Sequence, residues 1–193
     1  WTFNLRQNYN STLSGFNDAQ NAVGAVLLAD NANYATASGY AVVYGETSNG
    51  KTYRLVKFTN GINENTKLTT IANGTVSPTD GRDYMSFRVV YVKSSNTWTF
   101  KGRFDGPNTG GAFADPKTGT FDYSASAVNA DLVNTAMTHF GFFQNYSGNI
   151  DKIMWVDNYT VATYHQDLGT SLKGNDQPLP YSTRISQDGI TVQ

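Results

Sequence analysis

Hydrophobic and polar residues alternate with a period of two along most of the chain, in runs bounded by Gly, Asn and Ser clusters. That is the pattern of half-buried antiparallel strands. Residues 21–30 place Val23, Ala25 and Leu27 on one face and Val26 and Leu28 on the other. Residues 39–45 and 52–58 read as the arms of a hairpin, joined by Thr47-Ser48-Asn49-Gly50, whose Asn-Gly pair tolerates the positive φ of a primed turn. A second hairpin runs through 84–92, turns at Ser94-Ser95-Asn96 and returns through 97–104. Residues 138–146 and 152–161 supply two more strands, the first apolar on both parities, as suits a strand covered on both faces. Residues 105–123, rich in Gly, Pro and Asp, read as a long connection, and only 129–137 has a weak helical look.

Roughly ten such strands call for two packed sheets, because one open sheet would leave a face and two long edges exposed. The predicted fold is all-β: a two-sheet antiparallel jelly-roll sandwich over residues 1–164. Beyond Tyr164 the alternation weakens, and 165–193 reads as an extension in which Ile185 and Ile190-Thr191-Val192 supply a last strand or begin a linker. No repeat with a period of tens of residues interrupts this pattern.

Composition narrows the function classes. Charged residues make up 15% of the 193, against about a quarter in average globular chains, and only Glu46 and Glu64 are glutamates, which leaves little material for solvent-facing helices. A net charge of −1 argues against a nucleic-acid partner held by bulk electrostatics, and no apolar stretch is long enough for a membrane span. The absence of cysteine excludes a disulfide scaffold, a thiolate metal site and cysteine catalysis. The chain opens on Trp1, which reads as the start of a processed or excised piece of a longer product.

The order of motifs carries a resemblance. Leu27-Leu28-Ala29-Asp30 is followed by Gly39-Tyr40-Ala41-Val42 leading into Gly45-Glu46, then Tyr53-Arg54-Leu55 and Phe87-Arg88-Val89. Thr97-Trp98-Thr99-Phe100, Phe140-Gly141-Phe142 and Trp155-Val156-Asp157-Asn158-Tyr159-Thr160-Val161 complete it. Over residues 1–164 the chain resembles the concanavalin A-like, laminin-G-like jelly-roll modules of secreted, multi-modular bacterial proteins, many of which act on polysaccharides. The resemblance implies a secreted or cell-surface location, a place within a larger multi-modular protein, and a polysaccharide or oligosaccharide bound on the concave sheet face or its rim. It implies no required cofactor. It does imply a structural calcium, for which Asp30 and Asp157 are the places to look; Asx-type turn capping is the equal alternative for both.

Three functions fit. The first is a non-catalytic carbohydrate-binding or adhesion module, whose ligand-binding candidates are Tyr44, Arg54, Arg88, Lys101, Arg103, His139 and Gln144. In the second hairpin the parity separates Trp98 and Phe100, read as core, from Thr99, Lys101 and Arg103, which face solvent or a groove. Arg88 has valine neighbours on its face and is either buried and paired or on a groove floor. The second function is a polysaccharide lyase acting on a uronate polymer by β-elimination, with His139 as base, Tyr146 protonating the leaving oxygen and Arg88 neutralising the carboxylate. Retaining hydrolysis is disfavoured, because it needs two carboxylates close together on one face and the two glutamates stand far apart among turn residues. The third is a structural spacer or protein-binding domain. His165, beyond the last clear strand, reads as a surface residue.

Overall fold

The computed structural model describes residues 1–45, 53–75, 78–132, 135–148 and 152–162, together with the backbone of two strands at 183–186 and 189–192. The turn at 47–50 and His165 lie outside the described residues. The chain divides into two compact units, Trp1–Ala162 and Thr163–Gln193.

In the first unit ten strands follow one another: β1 (Thr2–Gln7), β2 (Ala22–Ala29), β3 (Gly39–Tyr44), β4 (Arg54–Phe58), β5 (Leu68–Asn73), β6 (Tyr84–Val92), β7 (Thr97–Gly106), β8 (Tyr123–Val128), β9 (His139–Asn145) and β10 (Met154–Thr160). They form two five-stranded antiparallel sheets, in the orders β10-β1-β6-β7-β8 and β5-β4-β3-β2-β9. The architecture is the all-β, two-sheet antiparallel sandwich that the alternation predicts. In the second unit β11 (Thr183–Ser186) and β12 (Gly189–Val192) pair as an antiparallel hairpin, at the place where a last strand was expected.

The sheets meet through the apolar parity of each strand. Phe3, Leu5, Met85, Phe87, Val89, Trp98 and Phe100 of the β1 sheet face Val23, Leu27, Tyr40, Val42, Tyr44, Tyr53 and Leu55 of the β3 sheet, all 4% exposed or less. Rings span the gap, with Tyr53 4.4 Å from Phe87 and Tyr40 4.5 Å from Trp98 between centroids. Each such residue contributes about 1.5–3 kcal/mol by burial.

The second face of the β3 sheet is also closed. Val26, Ala41, Val43, Val56 and Phe58 lie beneath Phe16, Ala37 and Ile62 from the connecting loops. The strands covered on both faces are therefore β2, β3 and β4. The expectation that 138–146 would be such a strand is corrected: β9 is an edge strand, half-buried, with Phe140 57% exposed. Its apolar residues serve different neighbours. Phe142 turns to Phe3 and Tyr159, Phe143 to Phe16 in the loop cluster, and Phe140 stacks on Tyr159 of the other sheet. Residues 129–132 and 135–137 form turns and irregular chain rather than a helix. In the turn of the second hairpin Asn96 takes a φ of 51°, a left-handed conformation its short amide tolerates.

Tyr123 lies across Gly102 so closely that a Cβ there would fall 2.1 Å from its ring and hydroxyl, and the hydroxyl is enclosed without a hydrogen-bond partner. Gly102→Ala is expected to destabilise the protein by about 1–3 kcal/mol, because the enclosed ring cannot swing aside. Tyr123→Phe is expected to be neutral or stabilising, since it removes an unsatisfied buried hydroxyl. Urea midpoints of the two variants check both expectations.

Burial pushes the hydroxyls of Tyr44, Tyr53 and Tyr123 well above the usual tyrosine range, and that of Tyr159 up to about 12. A proton held more tightly in the folded chain stabilises it fully below the unfolded value of about 10, and that contribution disappears as pH rises through the folded values. The thermal midpoint should therefore fall steadily above about pH 10. A midpoint flat across that range would contradict the buried tyrosines.

Candidate functional site

The parity that places Phe87 and Phe100 inside the sandwich turns their neighbours outward. Cross-strand pairing sets Asn4 opposite Ser86, Ser86 opposite Arg103, Arg88 opposite Lys101 and Arg6 opposite Trp155. Three of the sequence candidates, Arg88, Lys101 and Arg103, thus share the outward face of the β1 sheet.

Part of that face is crossed by residues 107–122, held down by a polar network. Arg103 donates from Nε to Asp105 Oδ1 at 2.6 Å, from Nη1 to the Thr118 carbonyl at 2.9 Å, and from Nη2 to Ser86 Oγ and the Asp115 carbonyl, both at 3.1 Å. Asp105 Oδ2 accepts from the Ser86 hydroxyl and, at 3.1 Å, from the Ala114 N–H. Asn4 Nδ2 donates to Ser86 Oγ at 2.7 Å and to the Ala114 carbonyl at 2.9 Å. Arg88 donates from Nε and Nη2 to the Pro116 carbonyl at 3.3 and 3.0 Å, and the Phe121 ring packs on Arg88 and Arg103. The Asp105 side chain is 1% exposed and that of Arg103 14%, so this is a buried ion pair whose remaining donors and acceptors are satisfied. Arg88 is thereby half-buried and bonded to a neutral carbonyl, and among the described residues Lys101 beside it has no ion-pair partner.

At the other end of the face the Arg6 guanidinium lies between two rings, 4.1 Å from the Tyr84 centroid and 4.2 Å from that of Trp155. Tyr84 packs edge-on against Phe113 at 5.0 Å. Trp155, Tyr84 and Phe113 are all half-buried, presenting ring surface beside a cation. Sequence reading missed Arg6 because it did not recognise β1. The signal is present in the alternation of Phe3 and Leu5 with Asn4 and Arg6.

The remaining candidates lie elsewhere. Tyr44 is not a groove residue: it is fully buried and stacks on Tyr53 at 4.7 Å, because its strand parity points into the sandwich. Arg54 is 2% exposed on the loop-covered face of the β3 sheet, where Nη1 donates to Thr70 Oγ1 at 2.9 Å. His139 begins β9 opposite Ala29, half-buried, with Nδ1 3.0 Å from Thr138 Oγ1. Gln144 donates from Nε2 to the Lys152 carbonyl at 2.6 Å, and its Oε1 is enclosed without a partner. Tyr146 is 45% exposed beyond the end of β9, with the Lys152 ammonium 5.6 Å from its ring. His139 and Arg88 stand on different sheets, Arg88 on the face turned away from the sandwich interior, so the structure does not bring the β-elimination residues together.

Asp30 Oδ1 accepts the Ser38 N–H at 2.8 Å across the β2–β3 connection, and Asp157 Oδ1, within β10, accepts the N–H of the next residue, Asn158, at 2.7 Å; neither is the Asx turn, in which the side chain bonds the backbone two residues on. Among the described residues no three His, Cys, Asp or Glu side chains gather around a point where a metal could sit. Two shallow clefts lie apart from the outward face, one of about 180 Å³ between Tyr40, Tyr91 and Trp98 and one of about 190 Å³ around Phe16, Tyr34 and Phe143. No helix among the described residues is long and apolar enough to cross a membrane. No family model, curated protein or solved structure matches this chain.

Removing one partner of the buried pair should release the crossing segment. Asp105→Ala is expected to cost about 3–5 kcal/mol, because Arg103 loses its carboxylate while staying largely enclosed. Limited proteolysis should then cut within 107–122 under conditions where the native chain resists. Equal resistance of both proteins would show that the segment is held by something other than this network.

Proposed function

We propose that the chain is a non-catalytic carbohydrate-binding module that takes a polysaccharide across the outward face of the β1 sheet. The observation that carries the reading is the half-exposed cluster of Trp155, Tyr84 and Phe113; the same face carries the polar outward side chains Thr99, Lys101, Ser124 and Ser126 on the far side of the crossing segment. Rings stack on the C–H faces of sugars, and hydroxyl and ammonium groups match sugar hydroxyls. The resemblance to concanavalin A-like modules supports the same reading, and with it a secreted or cell-surface location within a larger multi-modular protein. Asp30 and Asp157 each engage one carboxylate oxygen with a backbone N–H, and the proposal requires no calcium.

A protein-binding spacer is the second reading. It is favoured by Val90, Val92 and Val128, exposed by 37%, 36% and 71% on outward positions at one end of the same sheet. The lyase reading draws no support from the separated positions of His139 and Arg88.

Affinity electrophoresis against a panel of plant and marine polysaccharides separates these readings. At least one polymer is expected to retard the protein, with Trp155→Ala weakening the retardation about tenfold. Ultraviolet absorbance of an unsaturated uronate in the same incubations would move the assignment to a lyase. Retardation by none of the polymers would favour the spacer.

A further inference from the structure

Among the described residues no carboxylate balances the charge of Arg6. The residue is 7% exposed, Nε and Nη1 are enclosed without a hydrogen-bond partner, and no carboxylate of the described residues forms an ion pair with it. The nearest carboxylates along its neighbours' strands are otherwise engaged: Asp83, next to Tyr84, accepts from the Thr79 N–H and hydroxyl, and Asp157, two residues from Trp155, accepts from Asn158. Enclosed charges are ordinarily paired, because losing water without gaining a partner is costly. Here the two ring faces give partial compensation. They also fix the plane of the guanidinium, so that only its edge can meet a ligand, and Nη2 is the nitrogen not enclosed.

We propose that Arg6 is an anion-recognition residue and that the ligand is an acidic polysaccharide, whose oxyanion substituent meets the guanidinium edge between Tyr84 and Trp155. This rests on the glycan-binding reading and names its substrate class. The rest of the face agrees. Among the described residues Lys101 has no ion-pair partner, so a polymer with repeated negative charges finds a further cation on the same face, on a chain whose net charge is −1. The oxyanion is a carboxylate or a sulfate ester, and these are the two arms of the test.

Retardation by polygalacturonate, by its methyl ester and by dextran sulfate is compared for the native protein and for Arg6→Gln, Arg6→Lys and Lys101→Gln. In parallel, galacturonate, sulfate and galactose are titrated into the native protein while the Arg6 Nε–H resonance is followed by NMR. Polygalacturonate or dextran sulfate should bind at least about tenfold better than the uncharged ester, as a charge-assisted contact allows. Arg6→Gln should remove that preference, and Arg6→Lys should restore only part of it, since an ammonium cannot be held flat between two rings. Lys101→Gln, which removes the same charge from the same face, should weaken it less. Galacturonate or sulfate should shift the Arg6 resonance and galactose should not. Equal binding of the methyl ester, or a preference that survives Arg6→Gln, overturns this inference and leaves the glycan-binding reading standing. A resonance that responds to either anion while no polymer is retained keeps the anion site and overturns the glycan reading, and silence in both assays overturns both.

Discussion

The contact between aromatic rings of the two sheets determines the rest of the structure. Tyr53 against Phe87 and Tyr40 against Trp98 join the sheets from opposite sides, and Tyr91 and Trp1 pack further along the Trp98 ring. Rigid rings with few rotamers make a seam that tolerates little sliding. Because successive strand residues leave on opposite faces, fixing Phe87 and Phe100 inward fixes Ser86, Arg88, Lys101 and Arg103 outward. The cation-bearing face is thus a geometric consequence of the core. A one-residue slip would bury the arginines and expose the rings, and the energy difference between those registers secures the arrangement.

The two outer faces are closed by different physics. Loops lay Phe16, Ala37 and Ile62 on the β3 sheet, an apolar seal over Val26, Ala41, Val43, Val56 and Phe58. Over the β1 sheet the covering segment is attached by hydrogen bonds from Asn4, Ser86, Arg88 and Arg103 to backbone carbonyls and by the Asp105 carboxylate. A polar seal of this kind fixes directions as well as distance, and it reaches only part of the sheet. It leaves the Arg6, Tyr84 and Trp155 positions on one side of the segment and the Lys101 and Ser126 positions on the other.

Most of the sandwich was legible where alternation was clean. The second hairpin gave its two arms, its turn and the division between core Trp98 and Phe100 and outward Lys101 and Arg103. The strands β1, β5 and β8 were missed, being short and set among Asn, Thr and Ser that read equally well as loop. Alternation also states that two faces differ without stating what covers each. Arg54 illustrates this: its parity leads to a face sealed by distant loops, so a residue expected in a groove is buried. Tyr44 went astray for the opposite reason, since a tyrosine in a strand suits a core as well as a ligand surface. The grouping of His139, Tyr146 and Arg88 depended on which strands become neighbours, and local pattern carries no information about that. The two rings around Arg6 were out of reach for the same reason, since they arrive from β6 and β10, far along the chain.

The pairing of β1 with β10 brings the first and last strands of the unit side by side, with Thr2 opposite Thr160 and Gln7 opposite Met154. The chain therefore enters and leaves this unit at the same end of one antiparallel ladder. Because β6 holds the other side of β1 at Thr2 and Trp1, tension applied across Thr2 and Thr160 would open the edge ladder between β1 and β10 rung by rung from that end, the hydrogen bonds lying across the strands. Under such a pull β10 would part from β1 by unzipping rather than by shear.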